Sequence, residues 1–187
     1  AGIQADIKAM SAHGVFAMSV ITAITAQNTE EVTEVFELPT SIIEAQIDAV
    51  FDDFEVAAVK IGMLSSADIV RTVARMLKPQ SVVNLVVDPV MVSKGGQTLL
   101  KPDAVEALKR ELIPMALVIT PNVYEAEQLS GVPIKSLADA RQAVGALRGE
   151  RLPGVDQMAS LVEDFRRDTG ADATLPLGPY LEVGVGK

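Results

Sequence analysis

Cysteine and tryptophan are both absent from this sequence, histidine occurs once, and aromatic residues make up only 4% of it. Without cysteine there is no disulfide framework, no thiolate metal site and no cysteine nucleophile, a composition in keeping with the cytoplasm. Positive charge is scarce too. Sixteen lysines and arginines stand against 25 acids, for a formal net charge of −9. No basic stripe offsets that balance, which argues against nucleic acid or an anionic membrane as partner. No apolar run approaches the roughly 20 residues a membrane span requires. The opening AGIQADIK has neither the basic nor the apolar region of a secretory signal. It starts on Ala1, directly on a helical pattern, so the natural amino terminus is expected to lie outside this chain.

What is present suits one globular unit: 187 residues with 49% apolar content can bury a single good core. Ile3, Ile7 and Met10 recur at helical spacing with Gly14 as a stop, predicting a helix over 3–13. Val15 to Ala23 reads as a strand. Ser41 and Glu44 read as a capping box before Ile43, Ile47, Val50 and Phe51. VAAVKIG is a strand, Ser65 and Asp68 read as caps of a helix through Leu77, and SVVNLVVD is the next strand. KPDAVEALKREL is a helix with Pro102 in its first turn, where a missing N–H costs little. ALVIT returns as a strand, and Ser136 with Asp139 caps one more helix. The pattern changes at Arg148–Gly154. Beyond it, Asp156 is placed to cap a helix carrying Met158, Leu161, Val162 and Phe165 on one face, with Gly170 at its end. The remainder reads as loop with at most one short strand. The expected organisation is one unit over 1–147 and an unassigned tail over 148–187.

Short apolar strands alternating with amphipathic helices predict an α/β fold with a largely parallel central sheet and helices on both faces. Three strands run into polar or glycine-bearing turns, KIGML, DPVMVSKGG and TPNVYEAE. In such sheets ligands sit at the carboxyl edge, so these turns mark the candidate site.

Asp88 and Glu125 are acids just past strand ends, suited to holding Mg²⁺ beside substrate phosphates. Each has a plainer role available: Asp88 as a turn cap before Pro89, and Glu125 as a first-turn acid favoured by the helix dipole. Asn122 is a turn residue by the same local logic. Ser93, Lys94, Gly95 and Gly96 offer either an anion cradle or a flexible turn, without the spacing of a Walker loop. Lys60 lies in an apolar strand and reads best as a snorkelling side chain. Met63 fits either core or an apolar pocket wall. The single His13 sits at a helix end, where its charge complements the last carbonyls.

The blocks AGIQADIKAMSAHGV, SVITAITAQNT, KIGML, DPVMVSKGG and LVITPNVYEAEQLSG, in this order and spacing, resemble the hydroxymethylpyrimidine/phosphomethylpyrimidine kinases of thiamine biosynthesis, members of the ribokinase-like superfamily. The likeness runs from Ala1 to about Leu147. Pyridoxal kinases share the fold and some blocks, but AGIQAD together with AQNT favours the pyrimidine kinase.

The resemblance implies ATP- and Mg²⁺-dependent phosphorylation of 4-amino-5-hydroxymethyl-2-methylpyrimidine and then of its monophosphate. Pyridoxal kinase activity and a non-catalytic pyrimidine-binding fragment are the alternatives. It further implies that Asp6 and Gln27 meet the pyrimidine and that Gly2 and Met63 line its pocket. Asp88, Asn122 and Glu125 are implied to lie around the metal and phosphates, with Asp88 and Glu125 as the metal acids, and a homodimer is expected. Two family features are not found: a strand with a polar glycine-rich turn ahead of AGIQAD, and a later Lys-Gly-Gly turn followed by a G-T-G-[CD] loop that supplies the anion hole and catalytic Cys or Asp. Gly184, Val185 and Gly186 do not replace that loop, since no helix follows them. The catalytic residue is therefore unassigned. The expectation is that these segments are missing from the given chain, and that the chain as written binds weakly and turns over little.

Overall fold

The computed structural model describes residues 2–92, 99–148 and 180–186. Helix α1 (Ile3–Ala12) leads into strand β1 (Ala17–Gln27), which forms a hairpin with β2 (Val32–Glu37). Helix α2 (Thr40–Asp53), β3 (Ala58–Ile61), α3 (Ala67–Leu77), β4 (Leu85–Val87) and α4 (Pro102–Ala107) follow. Helix α4 continues through a π-helical turn, Leu108–Leu112, into a 3-10 turn, Ile113–Met115. The described elements close with β5 (Val118–Ile119), α5 (Val123–Ser130), α6 (Leu137–Arg148) and β6 (Tyr180–Gly186).

The strands form one sheet in the order β2-β1-β6-β3-β4-β5. Every neighbouring pair is parallel except β1 with β2. This is the α/β architecture anticipated from the alternating pattern. The hairpin was not. Its turn is held by Asn28, whose Oδ1 accepts from the backbone N–H of Glu30 and Glu31, both at 2.8 Å. That side chain mimics a backbone turn and lets the strand reverse.

The tail, left unassigned with at most one short strand, supplies that strand: Tyr180–Gly186 lies between β1 and β3, parallel to both. Val183 is in register with Val20 on one side and Ile61 on the other. The helix expected over 158–165 falls outside the described residues.

Packing follows the apolar faces. In α3, Ile69, Val70, Val73, Ala74 and Leu77 are buried while Asp68, Arg71 and Arg75 take the other side. Burying each of the larger aliphatic side chains contributes about 1.5–3 kcal/mol. Helix α3 packs against α2 and α4, and the shared core takes Val20, Val59, Ile61, Leu85, Val87 and Ile119 from the strands.

Two expected caps do not form. Helix α2 starts at Thr40 after Pro39, so Ser41 lies inside it, and Glu44 instead pairs with Arg75 at 2.6 Å. Helix α3 starts after Ser66 with no side-chain cap; the Ser65 hydroxyl is buried and Asp68 pairs with Arg71. The cap at α6 does form, with Ser136 Oγ accepting from the Asp139 N–H and donating to the Asp139 carboxylate.

Candidate active site

Because β1, β3, β4, β5 and β6 run parallel, their carboxyl ends share one edge of the sheet. Helix α1 enters β1 through a tight turn at Gly14, whose φ of 73° is the left-handed conformation a glycine adopts freely. The helix therefore runs back against the strand, and its amino end returns to that same edge. Gly2 begins it with φ 73°, and its carbonyl accepts from the N–H of Ala5 and Asp6.

Asp6 on α1, Lys60 on β3 and Asp88 beyond β4 meet there. Lys60 Nζ lies 2.6 Å from Asp6 Oδ2 and 3.9 Å from Asp88 Oδ2. Lys60 is therefore an ion-paired residue of the site and not the snorkelling side chain its strand context suggests. Asp88 is held in place by its own N–H, which donates to the Ile61 carbonyl at 2.8 Å, and by a side-chain hydrogen bond from Thr120. Burial pushes the Asp88 carboxyl above the usual aspartate range. Lys60 and the Thr120 hydroxyl pull it down, while Glu125 and Asp6 push it further up.

Glu125 is buried, with 4% of its surface exposed. Its Oε2 accepts from the Asn122 N–H at 2.9 Å, and Asn122 Oδ1 accepts from the Glu125 N–H at 3.0 Å, a reciprocal box that starts α5. Its Oε1 accepts from the Met91 N–H at 3.3 Å, tying the DPVM turn to α5. Both carboxylate oxygens thus already serve the backbone, and Asp88 is the more accessible acid.

Met63 is buried against Ala23, Val90 and Leu99 just past β3. Gln27 ends β1 at a register shift in the hairpin, and there it is exposed. The structure thus brings Asp6, Asp88 and Glu125 into one electrostatic group with Lys60, and leaves the Gln27 carboxamide in solvent at the same edge. His13 caps the far end of α1. The Ser93–Gly96 turn lies outside the described residues. Sequence reasoning passed over Thr120, whose only signal was a hydroxyl at a strand end, and undervalued Lys60, whose signal was an ammonium in an apolar strand.

An open surface groove of about 580 Å³ lies elsewhere, beside α2 and α3. Its cations Arg71, Arg75 and Lys78 each pair with an acid, Asp68, Glu44 and Glu111 respectively, so it leaves no charge for a ligand to answer.

The chain matches the family model described as phosphomethylpyrimidine kinase over residues 1–155. It is 51% identical over 182 residues to a hydroxymethylpyrimidine/phosphomethylpyrimidine kinase of Rhizobium meliloti, covering 97% of this chain and 61% of that protein. A crystal structure of phosphomethylpyrimidine kinase from Clostridium difficile superposes with a TM-score of 0.74 at 51% identity, covering 79% of this chain and 64% of that one. An ADP complex of Bacillus subtilis pyridoxal kinase gives 0.71 at 39% identity, covering 79% and 57%. The chain spans between 54% and 61% of the length of the first curated relatives it matches. With the ribokinase-like sheet, the acids at its carboxyl edge and these likenesses together, the chain belongs to the phosphomethylpyrimidine kinase family.

Proposed function

We propose that this chain carries the pyrimidine- and metal-binding edge of an ATP-dependent kinase that phosphorylates hydroxymethylpyrimidine and its monophosphate in thiamine biosynthesis. The observation that carries the reading is the meeting of Asp6 and Asp88 across Lys60, at the edge where such sheets bind ligands, in a chain of this family.

Asp88 offers a hard divalent cation one accessible carboxylate, and among the described residues no group of three or more acids is placed to hold the ion without substrate phosphates. The nearby side chains offer carboxylate oxygens, with three acids against one lysine among the described residues around Asp88. Asp88 would hold Mg²⁺, with Glu125 acting through water because its oxygens already bind the Asn122 and Met91 N–H groups. The ion supplies charge neutralisation for a transferring phosphoryl group. Asp6 and Gln27 would read the polar edge of the pyrimidine, Met63 would pack on the ring, and Gly2 would let the backbone approach it. Asn122 orients Glu125.

Competition binding tests the reading. Hydroxymethylpyrimidine is expected to bind in preference to pyridoxal; the reverse preference would favour the pyridoxal kinase alternative, which the likeness to the Bacillus subtilis enzyme keeps in view. Binding of neither would end both.

A homodimer through the β1–β2 hairpin belongs to the same proposal. Ile24 and Phe36 are register partners on one face of the hairpin and both are exposed. An apolar pair on an edge hairpin is better covered than left in water.

A further inference from the structure

Strand β1 carries one residue more than its pairing with β6 needs. Ile21 is in register with Gly184 and Ala23 with Val185, so Thr22 has no opposite number and forms a bulge. Ile21 and Thr22 in succession are held by partners outside β6. The Gln46 carboxamide on α2 takes both polar groups of Ile21: its Oε1 accepts from the Ile21 N–H and its Nε2 donates to the Ile21 carbonyl, each at 2.9 Å. The Thr22 carbonyl accepts from the Leu38 N–H, just past β2, at 3.0 Å. A glutamine amide presents donor and acceptor side by side as a peptide group does, so Gln46 stands in for one rung of a strand.

Side chains alternate between the two faces of a strand, and one extra residue reverses the alternation beyond it. Val20 and Ala23 are three apart in sequence, but their register partners, Val183 and Val185, are two apart, so Val20 and Ala23 share a face. Thr25 and Gln27 follow Ala23 onto that face, where Ala23 packs against Met63, while Ile24 and Ala26 take the exposed one. Regular alternation from Val20 would instead bring Ile24 and Ala26 to the Met63 face and turn Gln27 away.

We propose that Gln46 is a positioning residue for the pyrimidine end of the site: by holding the bulge at Thr22 it sets Gln27 on the face of β1 that carries Met63. This rests on the reading, made above, that Gln27 and Met63 meet the pyrimidine. Gln46 acts through the register of the strand and not by touching the ligand.

The test uses the full chain. Gln46→Met keeps the length of the side chain and removes both hydrogen bonds. The nuclear Overhauser contact between the Ala23 and Met63 methyl groups reports the face without any ligand, and it should be lost in this variant. Hydroxymethylpyrimidine should bind at least about fivefold more weakly in calorimetric titration, as when a polar group loses its partner. In the Gln27→Ala background the same substitution should cost less than about twofold, because the group it places is gone. A methyl contact that persists in folded Gln46→Met, a lost contact with unchanged affinity, or losses that simply add overturn the proposal. If Gln27→Ala alone leaves affinity unchanged, the reading of Gln27 fails and the proposal falls with it.

Should Gln46→Met fail to fold, Gln46→Glu answers the question. At neutral pH its carboxylate still accepts from the Ile21 N–H but has no proton for the Ile21 carbonyl; once protonated it serves both. The Ala23–Met63 contact should be weaker than the parent's at neutrality and recover as pH falls through the carboxyl range. A contact equal to the parent's at every pH overturns the proposal.

Discussion

At Asp88, the proposed function and stability pull in opposite directions. Its carboxyl is held above the ordinary aspartate value of 3.8, chiefly by burial. The folded state then keeps its proton to higher pH than the unfolded chain does. Stability accordingly falls as pH rises through the window between the unfolded and folded values, and the penalty persists at neutrality. Asp88→Asn should therefore raise the melting temperature of the ligand-free protein near neutrality, with the gain fading in acid below 3.8, while abolishing cation binding. Thermal melts with and without Mg²⁺ check this; a loss of stability at neutral pH would contradict it. Gln27 is a different case, since its carboxamide is solvated before ligand arrives. Gln27→Ala should leave the melting temperature unchanged and weaken hydroxymethylpyrimidine by about 1–3 kcal/mol, the loss expected when a polar partner buried by the ligand goes unpaired. Calorimetric titration measures it, and unchanged affinity would remove Gln27 from the site.

Among the elements, α5 depends on one reciprocal cap. Asn122→Ala deletes the acceptor for the Glu125 N–H and loosens the carboxylate that also holds Met91. A destabilisation of about 1 kcal/mol is expected, lowering the melting temperature by about 2–4 °C in a domain of this size. Asn122→Ser, which keeps a capping oxygen, should recover much of it. The hairpin offers a second test. Phe36→Asp puts a charge beside Ile24 on its exposed face, so sedimentation should show the proposed dimer dissociating while the fold persists. A parent chain that is already monomeric at high concentration would count against the dimer.

For the whole molecule the decisive element is β6. It alone joins the β1–β2 hairpin to the β3–β4–β5 half among the described strands, and α1 packs against it as well as against β1. Val183→Pro removes a donor and introduces a ring clash in a strand paired on both sides. Hydrogen exchange should show protection lost together across β1 and β3. Loss confined to β6 itself would mean that the two halves hold each other by other means.

Features set within a few residues were legible in the sequence. The stop of α1 at Gly14, the apolar face of α3, Pro102 at the start of α4, the Ser136–Asp139 cap and the acids beyond the strand ends all follow from helical periodicity, backbone permissiveness or local hydrogen bonding. The failed caps at Ser41 and Ser65 mark the limit of that reasoning, because Glu44 was claimed by Arg75, 31 residues away, and helix starts shifted to suit the packing. Strand order, the antiparallel turn of β2 and the seating of Tyr180–Gly186 in the middle of the sheet were decided only in three dimensions. So was the charge on Lys60, whose partner Asp6 lies 54 residues away in sequence. The physical reason is the same in each case. Which strand edge, or which carboxylate, a group pairs with is settled by competition among distant partners once the core has brought them together, and neither periodicity nor spacing along the chain carries that information.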